Sequence, residues 1–298
     1  MKNLIHYICL LILSTVSADS FAQDPDLLKL VDNDKPKKEF VDYSFKSSRV
    51  IMGQSMEMIR PGVMDFRILH RFGNVNQGGY QFFGLDQATM RMGFDFGITK
   101  NLMIGIGRGT NKKEFDGFLK YRIIHQSTGP GSFPLSVVAV AGGTMETLKW
   151  ADTARKNFFT SRLAFFYQLI IGSKLTEGFT LQFSPTMLHR NLVATADDPS
   201  DLYAVGIGAR IRISRRVSFN FDYFYRINPN LNDGTHNPLS VGFDIETGGH
   251  VFQVHFTNAI GMNERAFLTE STNNWQKGDI QFGFNLSRTF QLSKKKKK

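Results

Sequence analysis

The sequence predicts an all-β protein, a transmembrane antiparallel β-barrel of twelve strands, and three observations carry that prediction. From residue 62 to residue 292, apolar residues alternate with small, polar or charged ones, a period of two that belongs to β-strands. In the clearest segment, Tyr203, Val205, Ile207, Ala209, Ile211 and Ile213 share one face, and Ala204, Gly206, Gly208, Arg210 and Arg212 share the other. A strand of about eleven residues rising about 3.3 Å each and tilted about 40° projects to roughly 28 Å, the apolar height of an outer membrane. The second observation is that short and long connections alternate along the chain. The third is a last strand, Ile280 to Phe290, that turns Ile280, Phe282, Phe284, Leu286 and Phe290 to one face and resembles the terminal recognition strand of outer-membrane barrels, although Leu292 and the lysines run past it.

Taken in order, residues 1–22 read as a signal peptide. Lys2 supplies the positive charge, Leu4 to Ser17 is largely apolar, and Ser20-Phe21-Ala22 offers a small-x-small cleavage site before Gln23. That run is too short for a spanning helix, and no later segment reaches the about 18 apolar residues that one needs. Cys9 is the only cysteine and lies in the leader, so the mature chain forms no disulfide or thiolate site. Residues 23–61 form an N-terminal arm, periplasmic or lying in the lumen. Its first part, Gln23 to Asp42, is charged, contains Pro25 and Pro36, and is expected to be mobile. Phe45 to Met58 has a weak strand register, and counting it in the wall would give an odd thirteen strands.

The barrel is placed at residues 62–292, with strands near 62–72, 87–98, 101–108, 113–125, 133–143, 160–172, 178–189, 202–213, 217–227, 238–247, 250–260 and 279–292. Short turns fall near Thr99, Ser173 to Gly178, Ser214 to Arg216 and Thr247 to His250. Long loops fall at Gly73 to Asp86, Thr144 to Phe159, Asn191 to Asp201, Asn228 to Asn237 and Gly261 to Gly278. Bacterial barrels keep short turns in the periplasm and long loops outside, so both ends of the barrel lie on the periplasmic side. Residues 293–298 are a lysine-rich tail.

The formal charge of +10 owes half its value to the lysines at 294–298. The other charges are spread through strands, not clustered with exposed aromatics, which excludes a nucleic-acid groove. If the apolar face meets lipid, the lumen is lined by Asp65, Arg67, Arg91, Asp95, Asp116, Lys120, Arg122, Arg162, Arg210, Arg212, Asp222, Arg226, Asp244, Glu246 and His255. Two readings stand. Excess arginine would make the lumen an anion-favouring channel lining. The near balance of eight basic against six acidic side chains would equally suit an ion-paired, filled lumen. A soluble barrel or sandwich would bury the apolar face instead.

Catalysis has weaker support. His189 with Asp197 and Asp198, or His236 beside Asp233, reaches the outer rim, but no G-x-S-x-G and no His-x-x-x-His spacing occurs. The acidic stretch Asp197 to Asp201 is read as a solvated loop ahead of a Ca²⁺ site. Gly105-x-Gly107 and Gly206-x-Gly208 are strand glycines, because no helix follows either. No catalytic residue, metal or cofactor is assigned.

Phe45 to Ser55, with its Gly53-Gln54-Ser55, followed by Asp65 to Gly73 with its His70-Arg71-Phe72-Gly73, resembles an uncharacterised β-barrel family of Gram-negative envelopes, a domain of unknown function. The likeness runs over most of the mature chain and implies fold and location only. Arg71, at the outer end of the first strand, is expected to pair with a loop carboxylate ahead of binding lipopolysaccharide phosphate.

The functional expectation is an outer-membrane barrel acting as a narrow passive channel for small solutes, anionic ones among them, or as a structural envelope barrel. The alternatives are a rim enzyme acting on lipid or envelope substrate, and a soluble periplasmic binding barrel. Expected partners are outer-membrane lipid and lipopolysaccharide, and the barrel-assembly machinery through the last strand. The barrel is expected to be a monomer.

Overall fold

Twelve strands close into one antiparallel barrel in which each pairs with the next and the last with the first. The structure is a computed structural model that describes residues 37–154, 156–230 and 233–292. The signal segment and the lysine tail lie outside the described residues. The strands are β1 (Val63–Asn74), β2 (Ala88–Gly97), β3 (Leu102–Gly109), β4 (Phe115–Ile124), β5 (Ser136–Met145) and β6 (Leu163–Lys174). They continue as β7 (Phe179–Arg190), β8 (Asp201–Arg212), β9 (Val217–Arg226), β10 (Leu239–Thr247), β11 (His250–Thr257) and β12 (Gln281–Gln291). The strand nearest residue 133 starts at Ser136, because the preceding residues form a turn in which Ser127–Thr128 pairs with Glu39–Phe40.

Burial alternates along every strand as the side-chain period demands. β8 shows it well: Leu202, Ala204, Gly206, Gly208 and Arg210 are buried, and Tyr203 and Ile211 are exposed. The exposed face forms an apolar belt that includes Phe94, Ile106, Leu119, Tyr167, Phe183, Tyr225, Phe243 and Phe256. A continuous belt of large exposed apolar side chains around a closed sheet is a surface made for lipid. Closure also removes the open strand edges that would otherwise carry unpaired N–H and C=O groups.

Short turns at residues 98–101, 175–178, 213–216 and 248–249 share one end of the barrel with the start of β1 and the close of β12. The long connections crowd the other end. One of them, residues 258–280, folds inward and contains the helix α1 (Glu264–Thr269), capped by Asn263 Oδ1, which accepts the Ala266 N–H at 2.9 Å. Glu264, Ala266, Phe267 and Leu268 of that helix are buried.

Candidate functional site: the lumen and the arm within it

Residues 44–58 do not join the wall; they enter from the short-turn end and lie inside the lumen. The segment folds back on itself once, through an Arg49–Gln54 bridge and a turn closed by Val50 N–H to Gly53 O at 2.9 Å. Its residues are as buried as any protein core: Val50, Ile51, Met52, Gln54 and Ser55 are all at or below 1% exposure.

The wall holds this arm mainly by its backbone. Asp222 on β9 turns its Oδ2 to the tip, where it accepts from the N–H groups of Ile51, Met52 and Gly53 at 3.2, 2.8 and 2.8 Å. Gln182 on β7 brackets Ser55 by bonding the two peptides that flank it, accepting from Met56 N–H at 2.9 Å and donating to Gln54 O at 2.8 Å. Gln253 donates to Val50 O at 2.6 Å, and Lys120 donates to Ser48 O at 3.1 Å and Glu57 O at 2.8 Å. Arg210 reaches Ser44 O at 3.1 Å, Thr180 reaches the same carbonyl, and Ser48 donates to Asp95 Oδ2 at 2.9 Å. A buried segment without ladder partners must find such side chains, because each orphaned backbone group costs about 1–3 kcal/mol.

Glycines on the inward face make the room. A Cβ at Gly208 would come within 2.9 Å of Val50 Cγ2, one at Gly172 within 2.8 Å of Met56 Sδ, and one at Gly97 within 2.1 Å of Arg60 O. In the arm, a Cβ on Gly53 would strike the Phe224 ring at 2.6 Å. Those glycines fit close backbone approach and not phosphate binding.

The lumen has two unlike halves. Across β9 to β12 and β1 to β4 it is polar and charged, with Arg91 held by Asp116 through two bonds of 2.8 and 2.5 Å, and Arg67 at 3.7 Å from Asp65. Asp65 also accepts from Ser287 at 2.7 Å, and Gln253 donates to Asp244 at 2.6 Å. Across β5 to β8 Arg210 is the one buried charge among the described residues, and beside Gln168, Thr180, Gln182, Ser184 and Thr186 the apolar Val138, Val140, Phe166, Ile170, Leu188 and Leu202 pack in one cluster with Phe45, Ile51, Met52 and Met56 of the arm and with Phe267 and Leu268 of α1. The sequence reading took only the charged inward positions of this half, such as Arg210, and left out its apolar cluster, because the arm that completes it is far away in the chain.

Of the expected lining residues, Asp65, Arg67, Arg91, Asp95, Asp116, Lys120, Arg122, Arg210, Asp222, Arg226, Asp244 and His255 are buried in the lumen. Glu246 and Arg212 share its parity but lie at the short-turn mouth, where Glu246 pairs with Lys46 and Arg212 stands 3.9 Å from Glu177. Arg162 is a correction: it precedes β6, stacks on Trp150 at 4.1 Å and donates to the carbonyls of Glu146 and Leu148, so it belongs to an outer loop. Arg71 also departs from expectation. It points inward at 1% exposure and donates to Asn285 Oδ1 at 3.0 Å, with no carboxylate in ion-pair contact among the described residues. Nε and Nη2 of the buried Arg71 have no hydrogen-bond partner among the described residues. The arm therefore satisfies part of this polar wall and not all of it.

At the outer rim, His189 Nδ1 meets Asp201 Oδ1 at 2.6 Å across β7 and β8, on the outward face. Asp198 instead accepts from Thr195 N–H and Asn230, each at 2.8 Å, which separates it from the histidine. No hydroxyl is hydrogen-bonded to the His189–Asp201 pair among the described residues, so the pair lacks a placed nucleophile. His236 donates its backbone N–H to Ser271 O at 2.7 Å. No group of three His, Cys, Asp or Glu residues with metal-ligand geometry occurs among the described residues.

Over residues 45–290 the sequence matches the membrane bound beta barrel domain family, DUF5777. The chain belongs to that family. The matched span begins inside the arm, so arm and barrel fall within one family domain. Among solved structures the chain is similar to the NanC porin at 8% identity, covering 77% of this chain and 100% of that one, with a TM-score of 0.46. It is similar to the KdgM porin at 7% identity, covering 76% and 99%, with a TM-score of 0.45. The outer membrane protein Omp33 of Acinetobacter baumannii is 9% identical, with 76% and 97% covered and a TM-score of 0.39. No curated protein matches the chain.

Proposed function

We propose that the protein is a passive outer-membrane channel for small solutes whose pore is occupied, in the state described, by its own N-terminal arm. The observation that carries this reading is the charged half of the lumen, where Arg71, 1% exposed, keeps Nε and Nη2 without a hydrogen-bond partner among the described residues. Such a wall is readily hydrated once the arm leaves. Width agrees: about eight strands leave an interior that side chains alone can fill, and 16–18 leave an aqueous channel. Twelve strands fall between, so a separate segment fills what the wall cannot.

The structural-barrel reading draws on the apolar cluster, where Phe45, Ile51, Met52 and Met56 would have to leave a packed core. One experiment separates the two. Val50→Cys with Gly208→Cys pairs two thiols at a site where a Cβ added to Gly208 would lie 2.9 Å from the Val50 Cγ2 methyl, within reach of a disulfide. In a planar bilayer the oxidised protein should be silent, and reduction should bring intermittent steps of conductance. Deletion of residues 37–60 should leave the pore steadily open. Silence in all three states, with the barrel folded, would leave the structural reading. The outer-membrane placement, export by the leader, and contact with lipid, lipopolysaccharide and the assembly machinery belong to the same proposal.

A further inference from the structure

We infer that the outer-loop helix α1 is the latch of the arm, so that the ionic cluster at the outer rim governs how long the lumen stays plugged. The inference rests on the plugged-channel reading and names what regulates it.

Glu264 begins the latch. Its side chain is 2% exposed, and Oε1 accepts from Arg49 Nη1 at 3.1 Å and from Gln54 Nε2 at 3.2 Å. Arg49 and Gln54 are the two bridge residues at the base of the arm's turn, so one carboxylate from the outer loop clamps both legs of a segment that entered from the opposite end. Below it, Phe267 lies 5.0 Å from the Phe224 ring over which Gly53 passes.

Six helical residues cannot hold themselves, since isolated helices under about 12 residues are marginal in water. α1 is held from two sides. The arm holds it in the lumen, and the rim holds it outside. Glu114, just before β4, accepts from Asn263 Nδ2 at 2.7 Å and Arg265 Nε at 2.5 Å. Glu270 accepts from Arg265 Nη1 at 2.5 Å and pairs with Lys112 at 2.6 Å. Glu114 and Lys112 touch no arm residue through any of these bonds. Loosening them frees α1, which removes the partner of Arg49 and Gln54 and favours arm release. The coupling is reciprocal: an arm that withdraws leaves Glu264 buried without its cation and loosens the loop that faces outward.

The test uses the full chain with a single reporter cysteine, Ser55→Cys, at a position with no exposure. Reaction with a membrane-impermeant maleimide is timed on barrels in vesicles that migrate as folded on unheated gels. Glu264→Gln and Glu114→Gln should each speed labelling by about 5–150-fold, the span of ordinary two-site coupling. Should Glu264→Gln fail to fold, Glu114→Gln and Lys112→Gln decide. Labelling unchanged by the rim variants overturns the inference, even where Glu264→Gln itself speeds it. Because labelling needs no current, faster labelling in a non-conducting barrel would refute the channel and keep the latch, and a conducting barrel with unchanged labelling would do the reverse.

Discussion

Replacing Asp222 by alanine tests whether the arm is seated by its backbone. The carboxylate is 2% exposed and takes three arm N–H groups, those of Ile51, Met52 and Gly53. Its loss strands three buried donors at about 1–3 kcal/mol each. Neighbouring donors are not additive, and water entering the space left by the side chain recovers part of the cost. A net loss of about 3–5 kcal/mol is expected on that basis. At about 1.4 kcal/mol per tenfold, the seating equilibrium should move by roughly two to three and a half orders of magnitude. Asp222→Asn keeps one acceptor of the same shape and should lose less. Amide exchange in micelles is the assay, because the three N–H groups are themselves the reporters. Their exchange should accelerate by about that factor in Asp222→Ala, while wall amides such as those of β8 stay protected. Unchanged exchange at residues 51–53 would refute backbone seating. Equal acceleration throughout β8 would refute the separation of arm from wall.

Three further outcomes follow from the same contacts. Gly208→Leu fills the space that Val50 and Gln182 now use, so the arm should become protease-sensitive while the barrel still migrates as folded; a protected arm would show that the glycine leaves no necessary room. Arg91→Ala leaves Asp116 buried and unpaired at a cost of about 3–5 kcal/mol, and Arg91→Met with Asp116→Leu should recover most of it in denaturant unfolding; a double variant as weak as the single would refute the pairing. The rim should tolerate acid. Burial pushes the Glu270 carboxyl up, but the charges of Arg265 and Lys112 outweigh that and hold it below its usual value of about 4.5. A depressed carboxyl contributes its full stability above the usual value and loses it as pH falls through the lowered one. The loss of protection that Glu270→Gln causes at the amides of residues 51–53, corrected for the intrinsic pH dependence of exchange, should therefore be full at pH 5 and fade only below about 4.5; fading near pH 6 would contradict this account of the rim.

The wall was legible because its rules are local. A side-chain period of two assigns faces within one strand, and connection length assigns ends, so strands such as Tyr203 to Ile213 needed no knowledge of their neighbours. Nearly all inward charges followed from that parity alone. Arg162 did not, because parity was extended past the true start of β6 at Leu163. Arg71 was placed by its nearness to a loop, whereas its strand parity turns it inward.

The contents of the lumen were beyond local reasoning. Ile51 to Gly53 meets Asp222 some 170 positions away, and Arg49 meets Glu264 at a separation of 215. No periodicity links such residues, and only closure of the barrel brings them together. The six residues of α1 lie in a segment whose polar composition reads as loop, and their helix exists because the arm and the rim hold it. The sequence by itself determined a twelve-stranded barrel with a lipid face and an inner face, since both are written at a spacing of two residues. Whether that inner face encloses water or a folded arm was decided only in three dimensions, by contacts between segments that the chain keeps far apart.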